Sequence, residues 1–322
     1  MAENTNAERN RILEVEHLAM HFSTGRGKKK SVVKAIDDVS FHVYESETFG
    51  LVGESGCGKT TTGRALIRLY DPTSGSIKFK GRELTGPMTP DLRKFITSNM
   101  GMIFQDPIDS LNPRFTIREI IAEGLRIRGM TDEKELDEQV YAMLDKVGLT
   151  REHATRYPHE FSGGQRQRIG IARTIVTKPS IVIADEPVSA LDVSIQAQVI
   201  NLLNDLKQEM GLTIIFIAHD LSVVKYFSDR IGVMYYGKLV EMADSDELYR
   251  HPIHPYTRAL LSAVPQPNPI TERKRVRLVY EPDKAHDYTV EKPAMTEVFP
   301  NHYVYASPSE VEAYRSEFSD RL

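Results

Sequence analysis

Apolar and polar positions change period several times along this chain, and each change marks an element. "RILEVEHLAMHF" from Arg11 and "VSFHVY" from Val39 alternate apolar with polar residues, the period of half-buried strands. The basic loop "GRGKKK" between them reads as a solvated hairpin tip, or as a contact for anionic lipid or nucleic acid. The apolar run "ETFGLV" predicts a strand, and beyond it Ala65, Leu66 and Leu69 recur at helical spacing. "DPTSGSIKFKGREL" predicts a turn, a short strand and a second turn, and "MGMIFQDP" a buried strand stopped at Pro107. Residues 116–150 read as helical, with polar turns such as "GMTDEKE". From Ser162, "GGQRQRIGIARTIV" places Ile169, Ala172, Ile175 and Val176 on one side of a helix. "SIVIADEP" is a short apolar strand ending in two acids, "SIQAQVINLLNDLKQEM" a helix, and "LTIIFIAHD" a buried strand. "RIGVMYYGKLVEMA" is a hairpin turning at Tyr236-Gly237. Strands alternating with helices predict an α/β core. Past about residue 250 the chain is rich in Pro, His and charge, and reads as an appended tail or small accessory segment rather than more core.

Two of the predicted helices start from glycine. "GESGCGKT", Gly53 to Thr60, fits G-x-x-x-x-G-K-[ST] between a strand and a helix, the context this phosphate-binding loop requires. Gly53, Gly56 and Gly58 let the backbone curl until its N–H groups converge on phosphate oxygens, with Glu54, Ser55, Cys57 and Thr61 completing the loop and its exit. The helix adds its positive N-terminal end. Lys59 supplies a point charge for the β- and γ-phosphates of ATP, and the Thr60 hydroxyl a ligand for Mg²⁺. Cys57, beside Lys59, is a small filler of a variable position or a thiol made modestly reactive by the loop.

The acids complete a nucleotide site. Asp185 would reach Mg²⁺ directly or through water, and Glu186 would act as base toward the attacking water. His219, at the end of another buried strand, is placed to contact the γ-phosphate, and Gln105 to sense the metal or the water. The second glycine start, "SGGQRQR", exposes N–H groups behind Ser162, an N-cap or phosphate donor.

Composition narrows the setting. The 322 residues are enough for one large domain or two modest ones, and 40% hydrophobic with 27% charged residues is ordinary for a soluble globular chain. A net charge of -4 gives no global electrostatic reason to expect nucleic acid. The single cysteine forms no intrachain disulfide and no metal cluster. No apolar run approaches the ~20 residues of a membrane-spanning helix, and the N-terminus lacks a secretory apolar region.

Gly53–Thr60, Gln105, "FSGGQ", "IVIADEP", "SALD" and His219 occur in the order and at the spacing of an ABC-transporter ATP-binding subunit, which the chain resembles over residues 11–250. The resemblance implies a P-loop ATPase fold: a mixed sheet with an N-terminal antiparallel β subdomain, and a helical subdomain at about 106–175. It also implies that Ser162, Gly163, Gly164 and Gln165 close over the ATP held by a partner's P-loop in a head-to-tail dimer, and that Ser189, Ala190, Leu191 and Asp192 cross that interface. "QDPIDSLNPRFTI" and "HPIHPYTRALLSAVPQP" look like those of oligopeptide and dipeptide permease ATPases, and within the extension over 251–322 the stretch "VYEPDKAHDYTVEKPAMTEVFPNHYVY" is similar to that of the F-type subunit of oligopeptide permeases in Gram-positive bacteria. Implied partners are a second, D-type ATPase, two transmembrane permease subunits and an extracytoplasmic peptide-binding protein, with this chain at the cytoplasmic face of the membrane and no nucleic-acid partner.

The pattern departs from the family at two places. The tail has none of the cysteines that form a cluster resembling an iron–sulfur site in some relatives of peptide permeases, so no such cluster is expected. The stretch expected to carry an adenine-stacking aromatic, "GKKKSVV", has none, and Phe22 is the substitute on offer. The competing readings are an importer of dipeptides or nickel, a non-transport ABC ATPase acting on DNA or ribosomes, and a catalytically dead regulatory partner. The last is disfavoured by intact Lys59, Asp185, Glu186 and His219.

Overall fold

A computed structural model describes residues 9–24, 31–106, 110–265 and 275–318. The basic loop 25–30 and Pro107 lie outside them. The chain divides into two units, one of residues 1–10, 44–46 and 86–217, the other of 11–43, 47–85 and 218–322.

The second unit holds the long strands β1 (Arg11–Thr24) and β2 (Ser31–Tyr44), then β3 (Thr48–Val52), β4 (Ser74–Phe79) and β5 (Arg82–Glu83). The order β2-β1-β4-β5 makes an antiparallel layer, β1 pairing with β4 from Leu13↔Phe79 to Ala19↔Ser74. Alternation along β2 buries Val39, Phe41 and Val43 on one face, and its phase breaks at Asp38 (φ 67°), before which Ile36 is buried. Strand β3 is different: all five of its residues are buried, so it carries no alternation. It pairs parallel with β9 (Arg230–Tyr235), which turns through Tyr236-Gly237 into β10 (Lys238–Asp244). A buried ion pair, Arg230 to Glu47 at 3.3 Å, ties β9 to the entry of β3.

The tail is not apart from the core. Strand β12 (His302–Ala306) pairs antiparallel with β10, and β11 (Ala294–Phe299) with β12. Ile253, Val298, Phe299, Val304, Ala306 and Val311 form one buried cluster, covered by α11 (Pro308–Glu317). The Glu241 carboxylate of β10 is fully buried and accepts from Ile253 N, His254 N and His302 Nε2, the last at 2.7 Å. Three donors satisfy one buried anion, which is the condition for tolerating it there.

The first unit carries parallel strands in the order β8-β7-β6: β6 (Met100–Ile103), β7 (Ile181–Asp185) and β8 (Thr213–Ala218). Between β6 and β7 lie α3 (Ile117–Ile127), α4 (Glu133–Lys146) and α5 (Gly163–Ile175). The helical span expected over 116–150 is thus two helices. Gly129 (φ 94°) breaks them, and Asp132 caps α4 by accepting from Lys134 N. Arg118 binds Glu133 and Asp137 across the break. The apolar face of α5 is buried at Ile169, Ala172, Ile175 and Val176, and Thr174 Oγ1 donates to Met102 O of β6.

Among the described residues, no helix is long and apolar enough to cross a membrane.

Candidate nucleotide site

The loop from β3 into α1 (Lys59–Leu66) has the backbone its glycines predict: φ is 152° at Gly53, 81° at Gly56 and 109° at Gly58. Space matters as much as conformation. A Cβ on Gly53 would stand 2.2 Å from Met234 O, and one on Gly58 2.2 Å from Ala35 O, while Gly56 is open. Glu54, Ser55 and Gly56 form the exposed rim, Cys57, Gly58 and Lys59 are buried, and Thr60 and Thr61 are half-buried. Helix α1 starts at Gly58 with no side-chain cap, so no side chain competes for its first N–H groups. Lys59 lies back across the loop, its Nζ donating to Gly53 O at 2.7 Å and Glu54 O at 2.9 Å. This is a cradle of backbone donors with an ammonium inside it, the chemistry a polyphosphate needs.

Two contacts brace the cradle from behind. Gly237 N donates to Cys57 O at 2.8 Å, and Glu54 N donates to the hydroxyl of Tyr256 at 3.2 Å. Sequence reasoning missed Tyr256 in this role. "HPIHPY" stood out as a family marker, but nothing local links Tyr256 to a loop 202 residues away. Burial pushes the Cys57 thiol up, against the opposing charge of Lys59. The expectation of a modestly reactive thiol is therefore corrected: the thiol is 5% exposed and held protonated.

In the other unit, Asp185 ends β7 with 1% exposure. Glu186 follows in the left-handed region (φ 44°), its N–H donating to Ile217 O at 2.9 Å. A non-glycine residue there costs about 1–2 kcal/mol, and such outliers gather at functional sites. Gln105, exposed just beyond β6, donates from Nε2 to Glu186 Oε2 at 3.2 Å, so two of the expected catalytic residues meet. His219 is exposed directly after β8 and belongs to the unit that holds the loop. Asp220 beside it caps α7 (Leu221–Phe227) by accepting from Ser222 N at 2.8 Å.

The second glycine start is built otherwise. Ser162 is the N-cap of α5 in a reciprocal box: Gln165 N donates to Ser162 Oγ at 3.4 Å, and Ser162 N to Gln165 Oε1 at 3.0 Å. A Cβ on Gly164 would meet Ile195 Cγ2 at 2.5 Å, and one on Gly163 would touch Leu191. Leu191 and Ile195 therefore lie against the glycines. Ser189 Oγ donates to Glu186 O at 3.1 Å, Ala190 is exposed, and Asp192 caps α6 (Val193–Met210) by accepting from Ile195 N. Phe22, near the end of β1, packs edge-on against Tyr70, ring centroids 5.6 Å apart.

These motifs agree with what the chain is similar to. Residues 36–189 match the family model "ABC transporter", and residues 240–289 match "Oligopeptide/dipeptide transporter, C-terminal region". The chain belongs to the ATP-binding proteins of ABC transporters, in their oligopeptide/dipeptide permease branch. It is 55% identical over 305 residues to "Oligopeptide transport ATP-binding protein OppF" of Bacillus subtilis (strain 168), covering 94% of this chain and 99% of that one. It is 51% identical over 311 residues to "Dipeptide transport ATP-binding protein DppF" of Lactococcus lactis subsp. cremoris (strain MG1363), covering 96% and 98%. Among solved structures, the ATP-binding cassette MJ0796, described as a dimer in a post-hydrolysis state bound to ADP and Pi, superposes with a TM-score of 0.66 at 26% identity, covering 72% of this chain and 98% of that one.

Proposed function

We propose that this chain is the ATP-binding and ATP-hydrolysing subunit that energises oligopeptide import through an ABC permease. The observation that carries the chemistry is the cradle: left-handed glycines, an uncapped helix start, and Lys59 held across the loop by Gly53 O and Glu54 O. The cargo follows the relatives, and the oligopeptide protein is slightly nearer in sequence than the dipeptide protein.

In this reading Gly53 to Thr61 bind the ATP phosphates, and Lys59 leaves its backbone acceptors for the β- and γ-phosphates. Thr60, Asp185 and Gln105 would hold Mg²⁺, which supplies charge neutralisation to the phosphates when bound. Asp185 suits that role as a buried carboxylate at a strand end. Glu186 takes a proton from the attacking water, its carboxylate oriented by the Gln105 amide, and His219 contacts the γ-phosphate. Ser162 to Gln165 close over the ATP of a second ATPase, and Ser189 to Asp192 line that contact. The cassette takes residues 11–250, with 251–322 as its extension. The partners are a D-type ATPase, two membrane permease subunits and an extracytoplasmic peptide-binding protein, and the chain works at the cytoplasmic face of the membrane.

The test is reconstitution of the tagged subunit, with the proteins it recovers from native membranes, into vesicles. Lys59→Ala should abolish ATP binding and peptide uptake. Glu186→Gln should retain ATP binding while hydrolysis falls about 10²–10³-fold. Recovery of ribosomal or DNA-repair proteins with no membrane partner would overturn the transport reading.

A further inference from the structure

Behind the phosphate loop lies a cavity that the ATPase reaction does not use. It has a volume of about 810 Å³, within the range of small-molecule sites. The hairpin of β9 and β10 and the chain around α10 (Pro282–Ala285) line it, it opens to solvent on one side, and its walls include Tyr235, Tyr280, Tyr288, Tyr305 and His286. A wall of tyrosines is costly to leave facing water unless their faces and hydroxyls are used.

Its polar groups point to one kind of occupant. His286 is 2% exposed at the side chain, and its Nδ1 lies 2.6 Å from the Glu310 carboxylate. The ring is thereby fixed in place by the carboxylate. Its Nε2, and the buried hydroxyl of Tyr288, have no hydrogen-bond partner among the described residues. Buried polar atoms of this kind are normally satisfied. Asp283 and Asp287 add negative charge at the wall. The lysine present, Lys238, already lies 3.4 Å from Asp37 and over the Tyr305 ring at 5.3 Å. Burial raises the phenols of Tyr280 and Tyr288, so both stay neutral and keep electron-rich faces. Aromatic faces and two carboxylates at the wall favour a cation.

We propose that this cavity is an accessory site for an organic ammonium compound, an amine carried on an aromatic or apolar body, and that its occupancy is felt at the phosphate loop. The coupling route is short. Tyr235 and Tyr280 both pack on Tyr256, with centroids 4.4 and 5.5 Å apart, and Tyr256 accepts from Glu54 N of the loop. The hairpin that forms the wall also donates Gly237 N to Cys57 O. The site stands without the nucleotide reading, and only the coupling rests on it.

The test is calorimetric titration of the full chain with tryptamine, against indole-3-acetate as the similarly shaped anion. Without nucleotide, tryptamine should bind saturably, and indole-3-acetate at least tenfold more weakly. Asp283→Asn, at an exposed position, and Tyr280→Leu should each weaken tryptamine at least fivefold, with unchanged circular dichroism. Saturating tryptamine should shift the ATP dissociation constant at least threefold, and Tyr256→Phe should remove that shift while tryptamine still binds. No saturable binding, equal binding of the two indoles, or variants that bind like the parent would overturn the site. An unchanged ATP affinity beside clear tryptamine binding would overturn the coupling. Tryptamine binding by a chain that fails to bind ATP would support the site and count against the nucleotide reading alone.

Discussion

Helix α1 begins behind Gly58, whose φ of 109° no ordinary residue adopts easily, and has no side-chain cap. Helix α5 begins behind Ser162, whose side chain joins Gln165 in a closed capping box, and Gly163 and Gly164 need no left-handed backbone. Both stretches read as glycine-rich helix starts, yet glycine serves different needs. In the first it is conformational and steric together, since Gly53 and Gly58 combine a positive φ with a backbone oxygen 2.2 Å from where a Cβ would stand. In the second it is steric, because Ile195 stands where a Cβ on Gly164 would go. The first is buried at its base and the second is exposed at Ser162 and Gly163. A shared residue type is thus weak evidence of shared geometry, and the two sites should fail differently.

Gly58→Ala should give the largest effect. It combines a left-handed φ with a Cβ 2.2 Å from backbone, which cannot yield as a side chain can. A loss of about 3 kcal/mol or more is expected by chemical denaturation, with ATP binding gone. Gly164→Ala meets only the Ile195 side chain and gains helix propensity, so about 1–2 kcal/mol is expected. A double-mutant cycle with Ile195→Ala should show positive coupling, and additivity would sink the steric account.

A pH series separates the units. Burial, with His286 and Arg258 nearby, holds His254 down to about 3, and its Nδ1 accepts from the backbone of Tyr256, which braces the phosphate loop. The unfolded chain therefore takes up a proton below about 6.5 that the folded one refuses. Stability from this group is complete above 6.5 and falls as pH drops toward 3, by at most about 1.4 kcal/mol per pH unit. His254→Gln should flatten that slope in thermal melts. Ser162→Ala should cost about 1 kcal/mol, and Ser162→Asp should restore most of it as an equivalent cap. Equal losses from both variants would mean that the capping box contributes nothing.

What could be read from the sequence was local. The phosphate loop has its own spacing, the acids end an apolar run, and the polar "GMTDEKE" interrupts a helical period. What could not be read depends on distant partners. "HYVYA" from His302 alternates like a strand, but the Pro-, His- and charge-rich chain before it argued for an appendage. His302 looks like a surface residue until Glu241 supplies its acceptor, after which it is fully buried. Tyr256, Met234 and Ala35 wall the loop through contacts that leave no periodic trace. The meeting of Gln105 with Glu186, 81 residues apart, was legible only as two strand ends that share an edge.

The buried Glu241 makes the tail inseparable from the strand it joins. Trimming the chain before residue 302 would leave a carboxylate in an apolar layer without its imidazole, a defect of about 3–5 kcal/mol. A tail graft between two such subunits would succeed only where donor and recipient supply this acid and this histidine together. Insertions and deletions within 294–306 are therefore constrained as tightly as those in the sheet, and Tyr256 ties the chain past residue 250 to the phosphate loop as well.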